Sequence, residues 1–338
     1  MSQSTENARA FFLEKRPVGA IDDEVLQLKP LAAVELQEGE VRLENRFLSI
    51  DPTNRGWMNP QATYLPAIPL GSPMRAIVAG IVVESRDGKC ATGTRVSGIG
   101  TFATHSVVRG KTLTPLPDEV SFEQALSLFG HIGLTAYFGL TEVGGAKEGD
   151  RVFISGAAGA TGSTVGQIAK ALGCKVYGSA GSDEKCAMLV EELGFDGALN
   201  YKTHSTLGEL SKAVSETCEK GIDVFFDNVG GDILDAALAN LRMKARVVVC
   251  GAISQYNADR ISGPTNYLAL IMARARMEGF VVLDYTPRAL EAIGAMLPWL
   301  QEGKLKSRVH VLEGLEQVPD GLQRLFRGDH DGKLMVRV

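Results

Sequence analysis

Cysteine is sparse in this chain and poorly spaced for chemistry. The five cysteines, at positions 90, 174, 186, 218 and 250, never form a C-x-x-C pair. Their odd number argues against a disulfide framework and makes a reducing, cytoplasmic compartment the simplest setting. Histidine is as thin: five residues, with no H-E-x-x-H and no cysteine at metal spacing, so no metal site is expected. Neither Ser155 nor Ser163 sits in a G-x-S-x-G elbow, which leaves nucleophilic chemistry unsupported. No apolar run approaches the ~18 residues that span a bilayer. The first ten residues are small and polar, without the basic-then-apolar start of a secretory signal. Cationic excess is also missing. The 35 Lys and Arg against 40 Asp and Glu leave a net charge of −5, which gives no reason to expect a nucleic acid or a membrane surface as partner.

What is present is ordinary for a soluble enzyme: 338 residues, 45% hydrophobic and 22% charged, enough for two domains. The most informative stretch is 151–172. Val152 to Ser155 reads as a strand, and Val165, Ile168, Ala169 and Leu172 mark one face of a helix. Between them lie Gly156, Gly159 and Gly162. A glycine triplet alone is also compatible with a plain tight turn. Strand, glycine turn and helix in this order form the first turn of a dinucleotide-binding unit. The turn Gly159-Ala160-Thr161-Gly162 must be small, because a pyrophosphate has to approach the backbone and meet the positive end of the helix.

The flanking regions differ in period. Before residue 120 the chain shows short strands, among them Arg46–Ile50, Ile77–Val83, Arg95–Gly98 and Thr101–Val108, and suggests a small twisted barrel. Residues 52–75 carry Trp57, Met58 and Tyr64 among Pro, Gly and Asn. They read either as a binding lip or as a loop packed on its own aromatics. Ser121 with Gln124 is a helix start. Gly130-His131-Ile132-Gly133 interrupts the helical pattern, which resumes at Leu134. From Asp150 strands and helices alternate: strands at 175–178, 197–200, 222–227, 246–250 and 278–283, helices at 182–193 and 232–244. That alternation predicts a Rossmann-type, doubly wound parallel sheet, with ligands beyond its carboxyl ends at Asn228, at Gly251-Ala252-Ile253 and near Phe280. The last stretch, 307–338, returns to β character.

NAD-binding units end the second strand with a carboxylate that holds the ribose. Here Gly178-Ser179-Ala180-Gly181 offers none, and Ser182-Asp183-Glu184-Lys185 follows. Ser182 is a good N-cap, whereas Lys185 opposes the helix dipole unless it faces an anion. The reading is Lys185 on the 2′-phosphate of NADP; Asp183 on an NAD ribose is the rival. With a dinucleotide site and no metal, hydride transfer is the remaining chemistry.

The chain resembles the zinc-independent medium-chain dehydrogenase/reductases. The similarity is nearest to the NADP-dependent double-bond reductases, the group of prostaglandin/leukotriene, plant alkenal and curcumin reductases. It is carried by Phe47–Pro52, Gly133–Leu140, Ser155–Lys170, Gly181–Lys185, Asn200-Tyr201-Lys202, Phe226–Gly231, Cys250–Asn257 and Met277–Val282, in order along nearly the whole chain. The resemblance implies a GroES-like, mostly β catalytic domain (1–128 and 307–338) and an NADP-binding Rossmann domain (129–306), commonly as a homodimer. It implies that Lys185 and Tyr201 hold the 2′-phosphate. Asn228, the turn Cys250 to Tyr256 with Ala252 and Ile253, and Phe280, Val281 and Val282 would line the nicotinamide half. Two motifs depart from the family: Gly130–Gly133 replaces Gly-Met-Pro-Gly, and His330 stands where the family has an Asn. An imidazole can still hydrogen-bond a carboxamide or ribose.

The implied activity is hydride delivery from NADPH to the β-carbon of an α,β-unsaturated ketone or aldehyde, without metal. The Tyr256 hydroxyl would stabilise the developing enolate; its other reading is a packing tyrosine beside the cofactor. Alternatives are a quinone or enoyl-thioester reductase, or an NADPH-binding protein without turnover.

Overall fold

The computed structural model describes residues 7–61, 63–258 and 260–338. The chain divides into two compact units, Met1–Gly130 with Val309–Val338, and His131–Arg308. In the first, β1 (Arg9–Leu13), β2 (Leu26–Pro30) and β3 (Glu40–Ser49) lead into the short helix α1 (Pro52–Trp57). Strands β4 (Ser72–Pro73), β5 (Arg75–Ser85), β6 (Arg95–Thr101), β7 (His105–Arg109) and β8 (Thr114–Pro115) follow, then helix α2 (Phe122–Leu126). Ser121 caps α2 in a capping box with Gln124, as its spacing predicts, although the helix stops at Leu126.

The second unit runs α3 (His131–Phe138), β9 (Arg151–Ile154), α4 (Ala160–Ala171), β10 (Lys175–Ala180), α5 (Asp183–Glu191), β11 (Gly197–Asn200) and α6 (Leu207–Thr217). It continues with β12 (Ile222–Asp227), α7 (Gly231–Leu238), β13 (Leu241–Val249), α8 (Ala269–Ala273), β14 (Arg276–Gly279) and α9 (Ala289–Gln301). All five strand pairs are parallel, in the order β11-β10-β9-β12-β13-β14. That is the doubly wound order in which the chain reverses direction between its first and fourth strands, here β9 and β12, and opens a crevice at their carboxyl ends. Val152, Phe153, Val224, Phe225 and Val247 are fully buried, as central strands covered on both faces require.

The chain then returns to the first unit through β15 (Val309–Glu313), α10 (Val318–Arg327) and β16 (Lys333–Arg337). Strand β16 lies between β15 and β3 in a seven-stranded sheet ordered β15-β16-β3-β5-β6-β8, with β7 also paired to β3. Strands β2, β1 and β4 make a separate three-stranded sheet.

Several local expectations are corrected. His131 does not interrupt a helix but begins α3. Gly130 allows the close turn before it, since a Cβ there would lie 2.2 Å from the Ala125 carbonyl oxygen. The helix expected through Lys244 ends at Leu238, because Leu241 pairs with Ile222 and extends β13 by five residues before Arg246. The strand expected at 278–283 covers 276–279 and gives way to a 3-10 turn from Val282. The start of the expected aromatic loop is helix α1, with Trp57 and Met58 in the core. Arg16 donates to the carbonyls of Met58 (2.8 Å) and Ile68 (2.5 Å), which holds both ends of the following segment. Tyr64 remains exposed on it and shares a 2.5 Å hydrogen bond with Thr53.

Candidate active site

The glycine-rich turn leaves β9 at Ser155 and enters α4 with Gly159 as its N-cap. Gly156 adopts φ 59°, in the left-handed region that favours glycine. A Cβ on Gly162 would stand 2.4 Å from the Gly156 carbonyl oxygen and 2.8 Å from the Ala157 Cα, so the helix packs on its own turn only without that atom. The first N–H groups of α4 have no partner within the helix, and its positive end faces the crevice side of the sheet. Gly159, Ala160, Thr161 and Gly162 therefore form a small cradle suited to a pyrophosphate.

At the end of β10, Ser182 caps α5 by accepting from the Lys185 backbone N–H at 3.3 Å. This places Lys185 in the first turn. The Tyr201 hydroxyl lies 3.4 Å from the point where a Gly181 Cβ would stand. Asp183, the rival ribose ligand, accepts from the Asn200 side-chain amide at 2.9 Å. Its carboxylate is thus engaged by β11.

The residues expected on the nicotinamide side are held by a buried knot that the sequence reading did not include. Ser155 Oγ donates to Asp227 Oδ1 at 2.7 Å and accepts from the Asn228 N–H at 2.8 Å. The Asn228 side-chain amide donates to the Ser155 carbonyl at 2.8 Å. The Asp227 carboxylate also accepts from the N–H groups of Val229 and Gly230, each at 3.0 Å. Its carbonyl accepts from Cys250 (2.9 Å) and Gly251 (3.1 Å). Burial pushes the Asp227 carboxyl up, while the Gly230, Ser155 and Val229 donors pull it back. The sequence signal for this knot is a polar residue, Ser155 or Asp227, at the carboxyl end of each of two strands.

The turn after β13 is stitched to the same point. Ile253 N–H donates to the Asn228 carbonyl and Ser254 N–H to that of Val229, both at 3.2 Å. The Tyr256 hydroxyl accepts from the Ala252 N–H at 3.2 Å, so Ala252, Ile253 and Tyr256 belong to one rigid turn. Burial pushes the Cys250 thiol up to about 12, which keeps it a neutral, unreactive neighbour. The Phe280 ring meets Phe226 edge-on at 6.5 Å. A Cβ on Gly139 would stand 2.6 Å from the Phe280 ring, so that glycine admits the aromatic. Val281 and Val282 follow, half-buried, at the start of the 3-10 turn. His330 belongs to the other unit, in the turn between α10 and β16. Among the described residues no three His, Cys, Asp or Glu side chains converge on a point that would hold a metal ion.

A parallel sheet with this strand order, a glycine cradle at the head of α4 and a knot at the switch point define a dinucleotide-binding domain. Residues 160–302 match a family profile described as zinc-binding dehydrogenase, and 9–116 one described as N-terminal domain of oxidoreductase. The chain is 39% identical to prostaglandin reductase 1 of Bos taurus over 338 residues, 98% of this chain and 99% of that protein. It is 40% identical to the NADP(+)-dependent 2-alkenal reductase of Nicotiana tabacum over 305 residues, 88% of this chain and 87% of the other. The structure of CurA in complex with NADPH from Vibrio vulnificus superposes with a TM-score of 0.89 at 34% identity, covering 98% of this chain and 99% of that one. The chain belongs to the double-bond reductase group of the medium-chain dehydrogenase/reductase superfamily.

Proposed function

We propose that this protein is an NADPH-dependent reductase that transfers a hydride to the β-carbon of an α,β-unsaturated ketone or aldehyde, without a metal ion. The observation that carries the cofactor choice is the end of β10. There the Asp183 carboxylate is engaged by Asn200, Lys185 lies in the first turn of α5, and the Tyr201 hydroxyl stands over a bare Gly181. The activities by which the bovine and tobacco relatives are named, and the NADPH held by the Vibrio protein, support the reaction class. When bound, the reduced nicotinamide supplies the hydride.

The residues of this chain do the rest. Gly159, Ala160, Thr161 and Gly162 bind the pyrophosphate, and Lys185 and Tyr201 the 2′-phosphate. Asn228, Cys250, Ala252, Ile253, Phe280, Val281 and Val282 line the nicotinamide half. Tyr256 donates its O–H to the substrate oxygen as enolate charge develops. Because its oxygen already accepts from the Ala252 N–H, the phenol is oriented and its own donation strengthened. A donor of this kind lowers the barrier by about 3 kcal/mol. Water or Tyr256 returns a proton to the α-carbon.

Residues 1–128 with 307–338 form the catalytic domain in this reading, and 129–306 the NADP domain. The five free thiols suit the cytoplasm. A homodimer is supported by β14, an edge of the parallel sheet, and by the exposed side chains of Met243, Tyr267, Leu268, Ile271 and Met272 around it.

The test follows the loss of NADPH absorbance with a panel of alkenals, alkenones and quinones, with NADH in parallel. Enone turnover with NADPH preferred is the expected result. Binding of NADPH without reduction of any class overturns the catalytic reading, and quinone turnover alone overturns the substrate class.

A further inference from the structure

Strand β11 ends at Asn200 and passes directly into a 3-10 turn, Tyr201–Thr203. Within that turn the side chain of Lys202 folds back toward the end of β10 although the residue is exposed. A Cβ placed on Gly181 would lie 3.3 Å from Lys202 Cε and 3.6 Å from its Nζ, beside the Tyr201 hydroxyl at 3.4 Å. An ammonium and a phenol therefore meet over one stretch of bare backbone. Among the described residues no carboxylate or other hydrogen-bond acceptor holds Lys202 Nζ there. A compact, strongly hydrated charge on a flexible stem gains nothing from lying over a glycine unless an anion occupies the space beside it.

Asn200 prepares that space from both sides. Its side-chain oxygen accepts from the Lys202 backbone N–H at 3.1 Å and sets the 3-10 turn. Its amide donates to Asp183 Oδ1 at 2.9 Å, which holds that carboxylate against the end of β11. One residue thus sets the turn that carries Lys202 and fixes the adjacent Asp183 carboxylate in place.

We propose that Lys202 is a second cation of the 2′-phosphate subsite, acting beside Lys185 and Tyr201 over Gly181 to set the preference for the phosphorylated cofactor. The proposal rests on the NADPH reading above. A phosphate monoester carries close to two negative charges at neutral pH, and two ammonium groups match it where one would leave half of it to solvent. Gly181 belongs to the same device, since a side chain there would occupy the position the phosphate oxygens need.

The test is equilibrium binding to the full chain of two fragments, adenosine 2′,5′-bisphosphate and adenosine 5′-monophosphate, by calorimetry, without turnover. Lys202→Met keeps the length of the side chain and removes its charge. It should weaken the bisphosphate about ten-fold, the lower end for a charge-assisted contact at an exposed site, and leave the monophosphate unchanged. The salt dependence of bisphosphate binding should become shallower at the same time. NADH binding should match wild type, while NADPH follows the bisphosphate. Wild-type affinity for the bisphosphate in Lys202→Met overturns the proposal, as does an equal loss for both fragments. Wild-type protein that fails to separate the two fragments overturns the NADPH reading and Lys202 with it.

Discussion

Ser155 and Asp227, 72 residues apart in sequence, are joined by a 2.7 Å hydrogen bond between fully buried strand ends. The bond bridges the carboxyl ends of β9 and β12, which are the strands that flank the switch point of the sheet. Through it the glycine turn after β9, the Asn228 turn after β12 and the Cys250 turn after β13 share one anchor. Ser155→Ala strips a donor from Asp227 and an acceptor from the Asn228 N–H in a site that water does not reach. Unfolding in urea should show a loss of about 1–3 kcal/mol. The Kd for NADPH should rise as well, because the turn loses its fixed shape. An Ser155→Ala protein with wild-type midpoint and wild-type Kd would refute the anchoring role.

Tyr256→Phe separates donation from packing. The ring stays, and only the hydroxyl that accepts from Ala252 is removed. If that hydroxyl stabilises the enolate, kcat on an enone should fall about 100-fold, the equivalent of ~3 kcal/mol, with the Kd for NADPH nearly unchanged. Full turnover in Tyr256→Phe would reduce the residue to a packing tyrosine.

Lys333 and Asp51 form an ion pair at 2.8 Å, with side chains only 2% and 4% exposed. Lys333 also donates to the Ile50 carbonyl at 2.6 Å, and Ser49 donates to Asp51 at 2.5 Å. The pair ties the last strand of the chain to the end of β3 within the first unit. Burial holds the Lys333 ammonium below its usual range, and Asp51 partly restores it. Lys333→Ala leaves a buried carboxylate uncompensated and should cost about 3–5 kcal/mol, whereas Lys333→Met combined with Asp51→Asn should recover most of that loss. Equal destabilisation of the single and double variants, read from chemical denaturation, would show that the charges are not coupled.

His105, on β7, supplies a pH dependence. Burial is the main cause that holds its imidazole below the ordinary 6.5; Arg42 and Arg46 add to it, and Glu44 opposes it. The unfolded chain then takes up a proton near pH 6.5 that the folded chain refuses. The stabilising contribution is full above that value and is lost as the pH falls toward the folded-state pKa. His105→Gln removes this part of the acid sensitivity. The gap in urea midpoint between about pH 7.5 and about pH 5.5 should be smaller in the variant than in wild type. An unchanged gap would place the acid sensitivity elsewhere.

Much of the parallel-sheet unit was legible because its signals are local. A Gly at each of positions 156, 159 and 162, an apolar strand before them and an apolar helical face after them leave few alternatives. The steric reasons are a positive φ at Gly156 and a 2.4 Å approach at Gly162. Strand β12 from Ile222 to Asp227 was legible for the same reason, as a short apolar run closed by a turn. The misread segments share a different cause. Residues 241–244 have helical composition, and the pairing of Leu241 with Ile222 on β12 overrides it. Trp57 and Met58 read as loop residues, and contact with the strands around them draws them into the core.

The sequence by itself therefore determined the class of fold, the glycine cradle and the absence of a cysteine or histidine pattern for metal or disulfide chemistry. Each follows from residue size, period or count. Only the tertiary structure decided the strand order, the Ser155–Asp227 anchor, the Asn200–Asp183 bond and the place of β16 between β15 and β3. These are pairings between residues far apart in the chain. No local period encodes them, because their hydrogen bonds form only once the loops between them have closed and burial has removed water as the competing partner.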